Sequence, residues 1–499
     1  MLFAGTVALP VSDVDVSGFD YGSYLYRKGI SGTSMAFWGN WKNLGRRKTL
    51  GVKQWALLCR EWIVNQFRGW QLGADEFAVV AALTVGEKRV LTPSLKDIYS
   101  GAGVSHVLAL SGLHIGILSA LLCFLLTPLK RLKYGEFLRS LVVVTALWGF
   151  AFVSGLSPSV VRAVVMVSLY FLATCVSEER YPAIYALVLA AFLMLVYQPL
   201  YLFDLSCQLS FLAVASILYF YPIVSQCFGS KYRLLNWLWN GISVSVSAQA
   251  GTLPLILYYF GSFPTYFLVA NLIVSVLAGC VLCCAIVALL TVSVPFVGEL
   301  SVGCLDRVTW ALNTSIRGIR QLDGSQLDAL SISVLQAVCG FFFIYGLHRF
   351  LVYRKPVHVL CILLALNVSL GEWVYRSFEP VSTSLCYSRT KLYLKQNRHV
   401  MSLASSNGLY TVDSLTVGVL NSDAWSKKEA TPKIALDYLF LSRGFKGSVK
   451  SLLRVFTIRL LVFDSSLSIR YRNFLKKECE EMNIPYTDVS EKGSYRIFL

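Results

Sequence analysis

Residues 104–117 read Val-Ser-His-Val-Leu-Ala-Leu-Ser-Gly-Leu-His-Ile-Gly-Ile. Two serines (Ser105, Ser111), two histidines (His106, His114) and two glycines four apart (Gly112, Gly116) sit in an otherwise apolar run. Continued to residue 127, the run is about as long as the roughly 20 residues a bilayer core requires. Polar groups at that depth are costly and need a partner or a water-lined cavity. On a helix, Ser111 and His114 are i,i+3 and share a face. Gly112-x-x-x-Gly116 lets a second helix approach closely. Three readings stay open here: hydrogen bonding between helices, a pore lining, or a Ser/His nucleophilic pair.

Outward from this stretch, apolar runs at 104–127, 137–155, 159–177, 183–199, 205–221, 237–260, 264–294, 331–347 and 356–371 predict an α-helical polytopic membrane protein. It should have eight to nine spans, one of them re-entrant, split or interfacial, and a small α/β C-terminal soluble domain. Composition agrees. Of 499 residues, 56% are hydrophobic and only 15% charged, whereas soluble domains carry about a quarter charged residues. A purely soluble enzyme, a disordered chain and a disulfide scaffold are excluded. Three regions are expected: 1–100, aromatic and basic; 101–371, the membrane domain; and 372–499, the soluble tail. Residues 295–330 carry Asp306, Arg307, Arg317, Arg320, Asp323 and Asp328, so they are expected at an interface rather than across the bilayer.

The net charge of +17 favours cytoplasmic loops rich in Lys and Arg, with lipid headgroups or nucleic acid as further anionic partners. Lys130, Arg131, Lys133 and Arg139 place the break after the first span in the cytoplasm, and the uncharged break 154–159 then faces outward. Lys231 and Arg233 fall inside by alternation. Arg349, Arg354 and Lys355 look cytoplasmic but fall outside, so one segment between 237 and 330 breaks the simple count. Met1–Pro10 lacks a basic signal-peptide start, so internal segments must direct insertion. Cys280-x-x-Cys283-Cys284 reads as small-residue packing on a membrane helix rather than a metal site.

Further polar groups fall in apolar runs. Arg162 follows Gly155-Leu-Ser-Pro-Ser-Val-Val; it either snorkels to the interface or lines a hydrated anion path. Asp204 and Gln208 are i,i+4 on one face, with Asp204 a candidate partner for Arg162. Gln249 lies in Ser247-Ala-Gln-Ala-Gly-Thr-Leu-Pro254, and Asn271 follows. Between Phe37 and Trp70, aromatic and basic residues interleave, Trp38, Trp41, Arg46, Arg47, Trp55, Arg60 and Trp62 among them. That pattern suits single-stranded nucleic acid or an interfacial helix with Trp55, Leu58 and Trp62 toward lipid. In the tail, strands are expected at 438–441, 460–463, 486–489 and 495–499, helices at 448–456 and 469–482, and a β-meander over 382–420.

Four of these segments, in order, resemble the ComEC-type competence DNA-uptake channel family. They are Ser105-His-Val-Leu-Ala-Leu-Ser-Gly-Leu-His-Ile-Gly-Ile117, Gly155-Leu-Ser-Pro-Ser-Val-Val-Arg-Ala163, Phe203-Asp-Leu-Ser-Cys-Gln-Leu-Ser-Phe211 and Ser247–Pro254. The resemblance implies a cytoplasmic (inner) membrane, multi-pass channel that translocates single-stranded DNA in natural transformation. It implies a pore or DNA path near Ser105, His106, Ser111, His114, Arg162, Asp204, Gln208 and Gln249, with Gly112 and Gly116 in helix packing. Membrane lipid, a DNA receptor, a cytoplasmic DNA translocase and a separate nuclease are the implied partners, with no cofactor.

Two departures from the family stand out. Gly18–Ile30 resembles only the end of the family's oligonucleotide-binding-like domain. The tail resembles a short metallo-β-lactamase-like domain whose metal loop is replaced by Arg443-Gly-Phe-Lys-Gly447, and His399 is the tail's one histidine. No metal nuclease is expected there; Asp437 and Asp464, at strand edges, would hold at most one weak Mg²⁺. Arg443, Lys446, Lys450, Arg454 and Arg459 would suit phosphate contact without cleavage. The rival functions are an intramembrane Ser/His hydrolase on Ser111 and His114, a small-anion secondary transporter centred on Arg162, and an inactive remnant.

Overall fold

The computed structural model describes residues 2–3, 7, 20–27, 29–34 and 41–42, and the chain from residue 51 onward. Outside the description from there on are 177–182, 329, 379–382, 389–390, 397–398, 404–407, 413–414, 426–427, 465, 490–493 and 499. Of the expected aromatic and basic stretch 37–70, residues 37–40 and 43–50 thus lie outside the described residues. Two compact units emerge: residues 46–376, and residues 377–499 grouped with 1–45. In the N-terminal segment, β1 (Leu2–Phe3) pairs antiparallel with β2 (Trp41–Lys42), and α1 spans Tyr21–Arg27.

The larger unit is helical. Its N-terminal helices are α2 (Val52–Gly69), α3 (Ala74–Val85) and α4 (Pro93–Gly101). Then follow α5 (Gly112–Leu125), α6 (Gly135–Val153), α7 (Pro158–Val176), α8 (Ala183–Tyr197), α9 (Leu205–Gln226) and α10 (Arg233–Phe260). The unit closes with β3 (Phe263–Pro264), α11 (Phe267–Thr291), α12 (Pro295–Gln321), β4 (Gln326–Leu327), α13 (Val334–Tyr353) and α14 (Pro356–Ser377). Among the described residues, six helices, α6, α9, α10, α11, α13 and α14, are long and apolar enough to cross a membrane; α5, α7 and α8 are apolar but shorter. On α14, Leu360, Leu363, Leu364 and Leu366 are exposed, a face that hydrocarbon tolerates and water does not.

Two cores hold this unit. Ala270, Val274, Ala278, Val281 and Ala285 recur along one face of α11 and are wholly buried against Val79–Leu83 of α3, Tyr99 of α4 and Leu305, Leu312 and Ile316 of α12. Small side chains let these helices approach closely, which is how membrane helices gain packing without a hydrophobic drive between them. Leu110 and Ile115 pack with Val143, Leu147, Val160 and Val164 of α6 and α7 in the second. On α2, Ala56, Val64 and Phe67 face inward while Trp55 and Trp62 are exposed, as an interfacial helix requires.

Two expectations change. The first span does not begin at 104: residues 104–111 are turns, and the helix starts at Gly112. Gly103 turns the chain with φ of +80°, and a Cβ there would lie 2.5 Å from Pro264, so this position requires glycine. Residues 295–330, expected at an interface, form mainly a long helix packed along α11. After a three-residue turn α12 returns along α11, and β4 pairs with β3 at the far end. α12 therefore has the same reach as α11. Two of its polar residues face protein: Asn313 donates to Glu76 (3.1 Å) and accepts from Tyr99 (2.8 Å), and Arg317 pairs with Asp75. That polar face is what lowered its hydropathy.

The tail is α/β. A five-stranded sheet has the order β12 (Tyr486–Asp488), β11 (Phe456–Phe463), β10 (Ile434–Leu441), β9 (Leu415–Leu420) and β8 (Gly408–Val412). β9 to β12 are parallel, and β8 pairs antiparallel with β9. β13 (Ser494–Phe498), β5 (Thr383–Ser388), β6 (Lys391–Gln396) and β7 (His399–Leu403) form an antiparallel second sheet. The expected meander thus divides between the two sheets. Of the expected helix 448–456, only α15 (Val449–Leu452) forms, because the next strand begins at Phe456; α16 spans Ile469–Glu481. Both faces of the parallel sheet are covered by apolar side chains, which explains the near-continuous apolar strands.

Candidate functional site

Ser111 caps α5, and His114 occupies the third helical position, where a capping residue reaches back to the cap. The Ser111 backbone N–H donates to His114 Nδ1 at 3.2 Å, and the Ser111 hydroxyl lies 3.0 Å from the same nitrogen. Nδ1 is thus the acceptor and the neutral ring carries its proton on Nε2. Nε2 is buried with no protein partner among the described residues, a costly state for a donor. His114 is 1% exposed and so faces protein rather than lipid, whereas Ser111 is half-buried. Ser105 and His106 lie on the preceding turns and are exposed.

Gly112 brings a second cluster to the first: a Cβ there would lie 3.8 Å from Ala163, the neighbour of Arg162. Arg162 is 2% exposed. Its Nη2 donates to the Ser206 carbonyl (2.8 Å) and the Ser159 hydroxyl (3.2 Å), while Nε and Nη1 are buried without partners among the described residues. Arg162 therefore does not snorkel. It ties α7 to the first turn of α9, where the Ser206 hydroxyl bonds Asp204 (3.2 Å), and Asp204 acts electrostatically on the guanidinium.

Gln208 folds back to the Leu202 carbonyl (2.8 Å), bracing the 3-10 turn Pro199–Phe203. Its Oε1, Gln249 Nε2 and Asn271 Oδ1 are buried without partners. Gln249 thus has no hydrogen bond through Nε2 that would join it to the cluster.

The expected glycine pair divides. Gly112 meets α7, but a Cβ on Gly116 would meet open space. The tight helix crossing is instead at Gly251, where a Cβ would lie 2.4 Å from Ser216 Oγ, itself bonded to the Ser247 carbonyl at 2.6 Å.

Sequence reasoning also missed Glu87. It is 6% exposed and bonds Arg89 (2.8 and 2.9 Å) and Arg60 (3.2 Å). The hydrogen bond from Arg89, with Arg60 beside it, holds its pKa down at about 2. Arg60, expected among the lipid- or nucleic-acid-facing cations, is therefore spent on Glu87 and on the Gly86 carbonyl (2.9 Å). It also lies against Gly155, at the start of the Arg162 segment.

In the tail, Asp437 and Asp464 do not meet. Asp437 lies within β10 and accepts from Thr416 at 2.9 Å. Asp464 follows β11, and its backbone N–H donates to the carbonyl of Leu441, the last residue of β10, at 3.0 Å. Five residues of strand, roughly 16 Å, separate them, so they cannot share an ion.

A family model described as "Competence protein" matches residues 83–356, more than half of the chain, and contains every one of these bundle residues except Arg60. The chain belongs to the competence protein family. A second model, "ComEC C-terminal domain", matches residues 367–499. ComE operon protein 3 of Bacillus subtilis (strain 168) is 31% identical over 326 residues, 64% of this competence protein and 39% of that relative. An uncharacterized protein of Aquifex aeolicus (strain VF5) is 31% identical over 198 residues, 40% of this chain and 44% of that one. The chain thus spans less than half the length of either relative. No solved structure matches.

Proposed function

We propose that this chain is the channel through which a single DNA strand crosses the cytoplasmic membrane in natural transformation, with the outer mouth at the His114–Arg162 cluster. The observation that carries the reading is Arg162: a buried guanidinium with two nitrogens that have no partner among the described residues, on the helix that meets α5 at Gly112. Phosphate oxygens suit such donors, bidentately at arginine.

Membrane alternation supports the placement. With α12 counted as a crossing, Lys130, Arg131, Lys231, Arg233, Arg354 and Lys355 all fall on one side, as positive-inside loops should. The turns 104–111, 154–158 and 198–204 fall on the other side, and so does the tail after α14. A Ser/His hydrolase fits less well. The far nitrogen of His114 has no orienting group among the described residues, and a relay of that kind needs one.

The tail then acts without a nuclease centre of its own. Supporting this, Asp437 and Asp464 stand apart and the loop after β10 carries Arg443 and Lys446. The direct test is deletion of the gene in a transformable host. DNA bound at the cell surface should persist while DNA reaching the cytoplasm is lost; equal transformation with and without the gene would end the proposal.

A further inference from the structure

A cavity of about 460 Å³ opens between α9 and α13, away from the His114–Arg162 cluster. Leu212, Ala215 and Tyr219 line it from α9, Phe341, Ile344 and Tyr345 from α13, with Gly251 of α10 at its floor. Both lining sets follow i,i+3,i+4 spacing, so each is one helix face. The walls are almost wholly apolar, and Tyr345 and the neighbouring Phe342 are more than half exposed, so the cavity opens toward lipid.

The same α13 face continues into cations. His348, 8% exposed, stacks on Tyr219 with ring centres 3.4 Å apart, and its Nδ1 has no partner. The Arg349 guanidinium lies 4.3 Å from the Tyr353 ring and 5.9 Å from that of Tyr345, with Nε buried and unpartnered. Among the described residues no carboxylate pairs with it. The exposed Arg354 and Lys355 follow at the helix end.

We infer that this groove binds one anionic phospholipid, an acyl chain in the cavity and the headgroup phosphate on Arg349, with Arg354 and Lys355 around it. An apolar slot of this volume takes a chain, the unpaired guanidinium takes a phosphate, and the order of the two along α13 matches the order within a lipid. Basic pockets between membrane helices on the Lys/Arg-rich side are suited to such headgroups. A zwitterionic lipid would fill the slot but bring its own cation against Arg349. The inference does not depend on what the channel carries.

The test uses the full chain in detergent, stripped of lipid, with phosphatidylglycerol, phosphatidylcholine or inorganic phosphate added. Bound lipid is counted by native mass spectrometry and stability followed by thermal melting. We expect one phosphatidylglycerol per chain, retained at least tenfold over phosphatidylcholine, and a rise in Tm that inorganic phosphate does not reproduce. Arg349→Gln should bring the two lipids within about twofold of each other. Ala215→Phe should reduce retention of both, and Lys231→Gln, an exposed cation elsewhere, should change neither. Equal retention of the two lipids by the unaltered chain would overturn the inference whether or not the variants fold. So would stabilisation by phosphate alone, or a preference that survives Arg349→Gln.

Discussion

Arg162 divides its donors between holding the bundle and facing its interior. Nη2 ties α7 to the Ser206 carbonyl at 2.8 Å, and Nε and Nη1 are buried with no protein partner. A hydrogen bond to a charged group contributes about 1.5–3 kcal/mol, and each 1.4 kcal/mol is a factor of ten. If the two free nitrogens hold a passing phosphate, Arg162→Ala should lower transformation on the order of a hundredfold. Arg162→Lys keeps the charge but not the planar fork; its one nitrogen cannot reproduce the guanidinium's spaced donors toward both Ser206 and a phosphate, so a loss of about tenfold is expected. Ser159→Ala removes only the 3.2 Å contact and should change uptake little. The assay is transformation frequency at matched membrane abundance, with surface-bound DNA scored separately and Tm measured on the purified variants. Wild-type frequency in Arg162→Ala at wild-type abundance would refute the reasoning. So would losses that track Tm across the three variants, which would make Arg162 purely a tie between helices.

Other perturbations follow from the same geometry. Glu87 has its pKa lowered to about 2, so its stabilisation is complete above the ordinary glutamate value of about 4.3 and disappears as pH falls through about 2. Glu87→Gln should therefore cost on the order of 2 kcal/mol at pH 7, with the melting curves of variant and wild type drawing together only as pH falls below about 2. Equal Tm at pH 7 would count against the Arg60–Glu87–Arg89 arrangement. Gly251→Val should prevent stable purification, because even a Cβ lies 2.4 Å from Ser216, whereas Gly116→Ala, into open space, should melt like wild type. Epitope tags placed after Lys355 and after Ser377 should label from opposite sides of the membrane; labelling from one side would remove α14 as a crossing. The purified tail incubated with DNA and Mn²⁺, Mg²⁺ or Zn²⁺ should leave it intact, and chelator-sensitive cleavage lost in Asp464→Asn would show the opposite.

Length and polarity of apolar runs are local properties, and the sequence carried them well. Nine apolar helices, the α/β tail with its strands at 438–441 and 460–463, and the unusual polar residues His114 and Arg162 are all legible because each depends on neighbours within a few turns. The 104–111 turns were not legible, since hydropathy cannot distinguish a buried turn from a buried helix, and only Gly103 against Pro264 shows why the chain bends there. The packing of α12 was not legible for the opposite reason: Asn313 and Arg317 lower its hydropathy, but their partners Glu76 and Asp75 lie more than two hundred residues away. Pairings over such distances decide whether a polar side chain needs water, lipid headgroups or simply another helix. Tertiary structure alone therefore settled that Arg60 belongs to Glu87, that Gly251 rather than Gly116 makes the tight crossing, and that Arg162 is buried beside the α5 cap instead of reaching for the interface.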